Sequence, residues 1–223
     1  MGHNAQLSRE GHNQGDGLNM GKNIRKLSQI SGPSLAPPLG GRPGINAMVE
    51  ALLGLKNGFY AFESALHVFP AGEGLGTTGV QEWNSRSLWR HSYGKLVDGM
   101  FFFAEDIFGG QFCVKDGAIY GFDPETADVT LIGQDLEEWA QAVLDDYDLQ
   151  TGYSIAQEWQ LQNGPLSPSD RLMPKIPFVL GGAFDISNLV AIERARGMRT
   201  RGNLATQIHD LPDGSQIRFD IVD

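Results

Sequence analysis

The stretch that most constrains the fold runs from Phe101 to Thr126, where short apolar segments alternate with turn residues. Its first segment, Phe101–Ala104, is aromatic and has the length of a strand, and Gln111–Val114 resumes the extended pattern. Asp116-Gly117 is a strong hairpin signal, and Asp123-Pro124 begins the next turn. The pattern therefore predicts short strands joined by tight, acidic turns.

Helical spacing is found on both sides of these strands. Apolar residues recur at helical intervals over Leu136–Tyr147, with Asp135 and Glu138 placed as a capping box. Similar spacing predicts helices over Ile45–Leu53 and over Phe59–Phe69. Further strands are expected at Val129–Ile132, Phe178–Gly182, Ile186–Ile192 and Ile217–Val222, and a short helix at Leu204–Ile208.

Residues 1–44 are rich in Gly, Asn, Ser and Pro and poor in apolar residues. Such a segment buries too little surface to offset the entropy of ordering it, which predicts a flexible segment. A short helix is expected within it, near Met20–Ile30. The globular part is predicted to begin at Ile45.

Length and charge restrict the function. The chain has 223 residues, one cysteine and no secretory signal, and no apolar run approaches the roughly 18 residues of a membrane span, so we expect a cytoplasmic protein that does not contact membrane. Between Asp98 and Glu158 there are fourteen acidic residues against one lysine, within a net charge of -10. Such a field repels nucleic acid and favours a basic partner, although a solvated acidic surface would have the same composition.

Catalytic and ligand motifs are few. The G-x-G-x-x-G pattern at Gly74, Gly76 and Gly79 lacks the preceding strand and following helix of a dinucleotide site, and we interpret it as a loop. No zinc, redox, hydrolase or P-loop motif occurs, and we predict no metal and no cofactor. Glu105 and Asp106 would point to opposite faces of a strand, which favours a role in shaping the following turn.

Two clusters of side chains allow alternative interpretations. Trp83 and Trp89 alternate with Arg86 and Arg90, which suits either an interaction surface or packing against the sheet. Four arginines lie close together near the C-terminus, at positions 194, 196, 199 and 201. They can hold an acidic ligand, pair with the acidic segment upstream, or remain solvated.

The central residues resemble a known family. Phe-Ala-Glu-Asp-x-Phe-Gly-x-Gln-Phe at Phe103–Phe112, Ile-Tyr-x-Phe-Asp-Pro-Glu-Thr at Ile119–Thr126 and Leu-Glu-Glu-Trp at Leu136–Trp139 look like the SUKH superfamily of Smi/Knr-type domains. The resemblance covers residues 101–147, extends over 45–89, and residues 174–223 look like the continuation found in longer bacterial members. It implies an α+β fold with one twisted sheet, mixed or antiparallel, flanked by helices. Residues 45–223 would then form a single domain with a C-terminal extension and without catalytic residues.

Bacterial members of this family are similar in role to immunity proteins, which bind and neutralise a cognate toxin. Our leading hypothesis is therefore a non-catalytic immunity protein whose acidic surface binds a basic toxin, such as a nuclease. The predicted partner-binding residues are Trp83, Trp89, Asp123, Glu125, Glu137, Asp145 and Asp146. One alternative is a small enzyme that uses Glu105 or Asp106 with Cys113 and His91 or His209. Another is a regulatory scaffold protein, as among eukaryotic relatives.

Overall fold

The structure, a computed structural model, describes residues 21–39, 41, 44–72, 76–212 and 214–215. In these residues, helices pack on a large antiparallel sheet and a second, smaller sheet follows, so the fold is α+β, as predicted. The prediction of a single sheet did not include the smaller one. None of the helices in these residues is long and apolar enough to cross a bilayer.

The large sheet has six strands in sequence order, and every neighbouring pair is antiparallel. Its strands are β1 (Phe59–Ala61), β2 (Leu66–Val68), β3 (Phe101–Glu105), β4 (Gln111–Lys115), β5 (Ala118–Phe122) and β6 (Val129–Gly133). The small antiparallel sheet pairs β7 (Asp170–Pro174) with β8 (Leu189–Glu193).

Seven α-helices lie in the described residues. They are α1 (Lys22–Ile30), α2 (Ala47–Leu55), α3 (Val80–Trp83), α4 (Leu136–Asp145), α5 (Tyr147–Thr151), α6 (Tyr153–Asn163) and α7 (Arg194–Ile208). Helix α4 was predicted most clearly, and its cap is largely as expected. Asp135 Oδ1 accepts from the Glu138 amide at 2.9 Å, while Glu138 Oε2 accepts from the Gln134 amide.

The strands predicted between Phe101 and Thr126 are confirmed as β3, β4 and β5. Asp116 and Gly117 join β4 to β5 with positive φ angles of 50° and 81°. Two consecutive residues with positive φ form a type I′ turn, whose twist matches that of the flanking strands. The Asp-Gly signal therefore predicted both the position and the kind of this turn.

The helix predicted over Phe59–Phe69 is wrong, because these residues form the β1–β2 hairpin. The turn residues Phe62, Glu63 and Ser64 all have positive φ. Every residue of β2 is buried, so both faces of this strand are covered. A strand buried on both faces loses the alternation of polar and apolar residues, and its spacing then resembles that of a helix.

The assignments around the glycine-rich stretch also change. Strand β2 precedes it and helix α3 follows Gly79, whereas neither element was predicted. The helix has only four residues, and both Val80 and Trp83 are buried in the core. Because the sheet is antiparallel, the parallel strand–helix–strand unit of a dinucleotide fold is missing from the described residues. Residues 73–75 lie outside the described part of the chain.

The C-terminal region differs most from the prediction. Phe178–Leu180 forms a 3₁₀ turn rather than a strand, and a helix of 15 residues occupies Arg194–Ile208 where only its end was expected. A Cβ at Gly202 would lie 2.8 Å from the ring of Tyr93, so this glycine lets helix α7 approach closely. Tertiary packing therefore stabilises a helix whose sequence gives little indication of it. The strand predicted at Ile217–Val222 lies outside the described residues.

The short helix predicted near Met20–Ile30 is α1. Its Ile24 and Leu27 are buried in the main core, and the Glu137 side chain of α4 accepts hydrogen bonds at its N-terminus. The packed part of the chain therefore begins before residue 45, where the globular domain was predicted to start. Residues 1–20 lie outside the described part of the chain.

Candidate binding groove

A cluster of buried charges connects the two sheets. The Glu105 carboxylate in β3 lies 2.8 Å from Arg171 Nη2 of β7 and 3.3 Å from Arg194 Nη1 of α7, and its Oε1 is 3.0 Å from His67 Nδ1 of β2. All four side chains are at most 4% exposed. Arg194 also donates to the Thr77 hydroxyl and to the Pro168 carbonyl. Arg194, which begins α7, therefore pairs with the acidic segment upstream. This pairing was one of the alternatives predicted for the basic cluster.

The protonation states in this cluster follow from burial and charge. Burial alone would raise the pKa of Glu105, but Arg171, the hydrogen bond with His67 and Arg194 lower it to about 2. Burial lowers the pKa of His67 to about 4, against the opposing effect of Glu105. A neutral His67 and an ionised Glu105 thus share the cluster with two guanidinium groups at neutral pH. Because these buried charges join β2, β3, β7 and α7, we assign the cluster to stability.

Of the two residues predicted to shape the turn after β3, Asp106 does so, whereas Glu105 pairs with Arg171 and Arg194 instead. Asp106 Oδ1 accepts hydrogen bonds from the amides of Phe108 and Gly110, both at 2.8 Å. Burial raises the pKa of this carboxyl to about 7, although the two amide hydrogen bonds oppose the increase. The carboxyl also lies on the wall of an open groove.

This groove has a volume of about 620 Å³ and lies over the ends of β4, β5 and β6. Its floor contains Phe112, Gly121 and Thr130, which are cross-strand partners in these three strands. Gly121 contributes no side chain to this row, and a Cβ there would lie 3.5 Å from Ile132 Cδ1. We call this groove and the residues that line it the acidic groove.

Acidic side chains and exposed apolar side chains line the acidic groove together. Asp123 and Asp128 are exposed on the turn between β5 and β6. Leu149 of α5 is 77% exposed and Phe184 is 64% exposed. Phe184 packs against Phe108 and Phe178 with ring centroids 5.2 Å away in each case. Exposed apolar groups beside charges of one sign are typical of a protein interface.

Two buried charged side chains lie deeper in the same wall. Glu125 is 4% exposed, and its Oε2 accepts from the Val179 amide at 2.9 Å. Its Oε1 is buried without a hydrogen-bond partner among the described residues, and burial raises the pKa of this carboxyl. Arg201 is equally buried and donates to the Phe108 carbonyl at 2.6 Å. The wall therefore retains hydrogen-bonding capacity that the described chain does not use.

The residues of the enzyme alternative do not meet. Cys113 is fully buried in β4, and burial raises the pKa of its thiol to about 12. His91 contacts the Arg86 carbonyl and His209 contacts the Thr126 carbonyl, whereas Glu105 contacts His67. Within the described residues, no three His, Cys, Asp or Glu side chains converge as metal ligands would.

The structure divides the predicted partner-binding residues into three groups. Trp83 and Trp89 are both 0% exposed in the main core, so neither is available as a surface anchor. The prediction failed for them because their apolar surface was needed to cover the sheet, where Trp83 Nε1 also donates to Gln111 at 2.8 Å. Glu137 accepts hydrogen bonds from the amides of Asn23 and Ile24, which makes it a cap for α1.

Asp123 and Glu125 are the two predicted residues that lie in the acidic groove. Asp145 and Asp146 are exposed at the end of α4, outside the groove lining. Asp145 accepts from Gln141, and Asp146 caps α5 by accepting from the Leu149 amide. Of the five acids predicted to bind the partner, Glu137 and Asp146 therefore cap helices.

Sequence reasoning missed the apolar part of the groove and the buried Arg171. Phe184 follows Gly181 and Gly182 and precedes Asp185, and an aromatic residue amid turn residues was a usable signal. Leu149 gave no signal, because its exposure depends on how α5 packs. His67, the actual neighbour of Glu105, was hidden because its segment resembled a helix.

Comparisons with known proteins inform the fold. The chain matches no protein-family profile and no curated protein. Among solved structures, the crystal structure of Atu4351 from Agrobacterium tumefaciens is similar, with a TM-score of 0.52 and 12% sequence identity. The similarity covers 82% of this chain and 89% of that chain. The two proteins therefore share a fold over most of their length.

Proposed function

We propose that this protein is a non-catalytic immunity protein that neutralises a cognate protein toxin by binding a basic surface of the toxin in the acidic groove. The observation that carries the proposal is the combination, in one open groove, of exposed acids with exposed apolar side chains. A nuclease is the toxin class that suits this chemistry best, because its nucleic-acid cleft is basic. The resemblance of residues 101–147 to the SUKH superfamily supports the same role.

The two kinds of side chain contribute different parts of the binding free energy. Asp123 and Asp128 are solvated, so they accelerate encounter with a basic surface more than they hold the complex. Leu149 and Phe184 lose contact with water on binding, and such apolar anchors usually carry most of the affinity. The negative field also disfavours nucleic acid and anionic membrane as partners, which agrees with action in the cytoplasm.

The test first identifies the protein encoded by the reading frame beside this gene, where the proposed function places the cognate toxin. Its C-terminal domain, with the active site inactivated, is used for the binding measurements. The double variant Asp123→Asn, Asp128→Asn removes the two exposed charges of the groove. The side-chain oxygen of asparagine at position 123 can still accept the hydrogen bond that the Glu125 backbone N–H donates to Asp123. We expect association with the toxin to slow about 3- to 10-fold at low salt and to become less salt-dependent. A second variant, Phe184→Ser, is expected to accelerate dissociation.

The matched control is the double variant Asp98→Asn and Asp116→Asn, which changes the net charge equally. Both residues are exposed and lie outside the acidic groove, and Asp116 is at the opposite end of the β4–β5 hairpin. We expect the control to bind and to protect cells from the active toxin almost as the natural chain does. If the two double variants slow association equally, binding depends on the net charge of the protein and not on the acids of the groove. If Phe184→Ser and the groove variant both bind and protect normally, the proposal is wrong.

A further inference from the structure

We propose that the protein partner is held by strand addition, with an extended basic segment of the partner pairing as a seventh strand along the edge of β6 that the described residues leave unpaired. This inference rests on the proposed function and specifies how the partner enters the acidic groove.

The two edges of the large sheet differ. Beside β1, the chain covers its own edge, because the amides of Gly32 and Leu35 donate to the carbonyls of Tyr60 and Gly58 at 2.8 and 3.0 Å. Strand β6 ends the sheet on the other side, and in the described part of the chain it pairs with β5 alone. An uncovered edge is a template for another strand.

Strand β6 carries neither a charge nor a proline, the residues that commonly protect an exposed edge, although its pairing with β5 contains one register shift, between Ile119 and Tyr120. Its sequence is Val-Thr-Leu-Ile-Gly, which favours strands and contains no proline, lysine or other charge. Thr130 is exposed and Leu131 is 50% exposed. Proteins commonly place a charge or proline in such a strand to prevent pairing with other chains, so its absence is consistent with an edge that is used.

The register identifies the free backbone groups. The Asp123 amide donates to the Asp128 carbonyl, and Gly121 pairs with Thr130. Since backbone groups of an antiparallel strand point alternately to either side, Val129 and Leu131 direct their N–H and C=O groups away from β5. A residue added opposite Thr130 would extend the row of Phe112, Gly121 and Thr130 that forms the groove floor.

The charges favour a basic segment over a second copy of this chain. Asp128 precedes β6 and Asp135 follows it, and both are exposed. Antiparallel pairing of two β6 strands would bring the Asp128 end of one copy to the Asp135 end of the other, which places like charges together. A segment with lysine or arginine at alternate positions meets opposite charge instead, with those side chains directed over the groove floor toward Asp123.

The direct test titrates the full-length protein with a blocked eight-residue peptide of alternating Lys and Val, followed by amide exchange at single-residue resolution. We expect slower exchange at Val129 and Leu131, whose amides are otherwise open, and little change at Thr130, which already pairs with β5. A peptide of alternating Glu and Val is the charge control and should not bind. Equal binding of both peptides, or unchanged exchange at Val129 and Leu131, would overturn the proposal.

Two variants at position 131 distinguish the contribution of backbone hydrogen bonds to peptide binding from the contribution of the side chain. Leu131→Pro removes an outward N–H and is compatible with an edge strand, whereas Leu131→Thr keeps the N–H and removes the same apolar side chain. We expect the proline variant to bind the Lys-Val peptide at least about tenfold more weakly than the threonine variant, since it loses strand hydrogen bonds. Both should unfold at similar urea concentrations. Equal affinity of the two variants would contradict strand addition.

Measurements of toxin binding distinguish failure of this inference from failure of the proposed function. Loss of toxin binding in the Asp123→Asn, Asp128→Asn variant with full binding in Leu131→Pro would retain the function and reject strand addition. Failure of every variant and of the natural chain to bind the toxin would reject the proposed function, while the peptide experiment still decides on the edge. A dimer seen by light scattering for the natural chain but not for Leu131→Pro would show that a second copy occupies the edge, and the proposal would be wrong.

Discussion

Glu105 and Arg171 form a buried ion pair, with 2.8 Å between Oε1 and Nη2, that joins the large sheet to the small one. The sequence separates them by many residues, and each is almost fully buried. Their pairing, together with Arg194, makes the C-terminal part of the chain an integral part of the fold. The acidic groove depends on this, because Phe178, Phe184 and Arg201 come from the same part of the chain.

Replacing Glu105 with Gln should destabilise the protein strongly. The substitution leaves Arg171 and Arg194 without their carboxylate in a buried site, and removal of one partner from such a pair typically costs about 3 to 5 kcal/mol. Urea unfolding of the purified variant measures this change. Asp116→Asn, at an exposed turn, should alter the free energy of unfolding by less than about 0.5 kcal/mol. A similarly small effect for Glu105→Gln would mean that the pair contributes little.

His67 should make stability depend on pH. In the unfolded chain it binds a proton near pH 6.5, but in the folded chain only near about pH 4. The unfolded state therefore binds more protons in this interval, and the free energy of unfolding falls as the pH is lowered through it. The elevated pKa of Asp106 acts in the opposite direction, so the measurement must compare variants.

The comparison is between the natural chain and His67→Asn, whose amide can donate to Glu105 without titrating. We expect the stability advantage of the natural chain to shrink as the pH falls from about 6.5 to about 4, because the contribution of Asp106 cancels in the difference. Urea unfolding at several pH values measures it. A difference that is constant with pH would show that His67 is not held neutral.

Removing the Glu137 carboxylate should loosen α1. Its oxygens accept from the amides of Asn23 and Ile24 at 2.8 and 3.1 Å. Loss of a cap of this kind costs about 0.5 to 2 kcal/mol, so Glu137→Ala should speed amide exchange in α1 before the sheet is affected. Asp145→Ala on the same helix is the control. If amide exchange in α1 is equally fast in Glu137→Ala and in Asp145→Ala, Glu137 has no local role in holding α1.

Gly152 and Gly117 should respond differently to alanine. Both have positive φ, of 71° and 81°, but a Cβ at Gly152 would lie 2.9 Å from Ile107 Cγ2 and also meet the Phe108 ring, whereas Gly117 has nothing within 4 Å. We expect Gly117→Ala to cost about 1 kcal/mol from the backbone alone. Gly152→Ala should cost at least about 2 kcal/mol, since overpacking is added. Chemical denaturation of the two variants tests this, and equal losses would be inconsistent with the packing described.

The candidate site was predictable only in part. Asp123 and Glu125 were predicted from the concentration of acids and line the acidic groove, and the turn-shaping role of Asp106 followed from its position at the end of a strand. Trp83 and Trp89 were misjudged, because a tryptophan beside arginines has the same local sequence whether it is buried or exposed. Glu137 was assigned to a partner, whereas it contacts a helix more than 100 residues earlier in the chain.

What the sequence determined by itself was local: the hairpin at Asp116-Gly117, the capped helix α4, and the concentration of acids between Asp98 and Glu158. Turn geometry, capping and charge depend on neighbouring residues, so the pattern alone was sufficient. Tertiary structure alone decided that Glu105 pairs with Arg171 and Arg194, that β6 pairs only with β5 within the described residues, and that Phe184 meets Phe108 in the acidic groove. Each of these depends on the packing of distant segments, which no local pattern encodes.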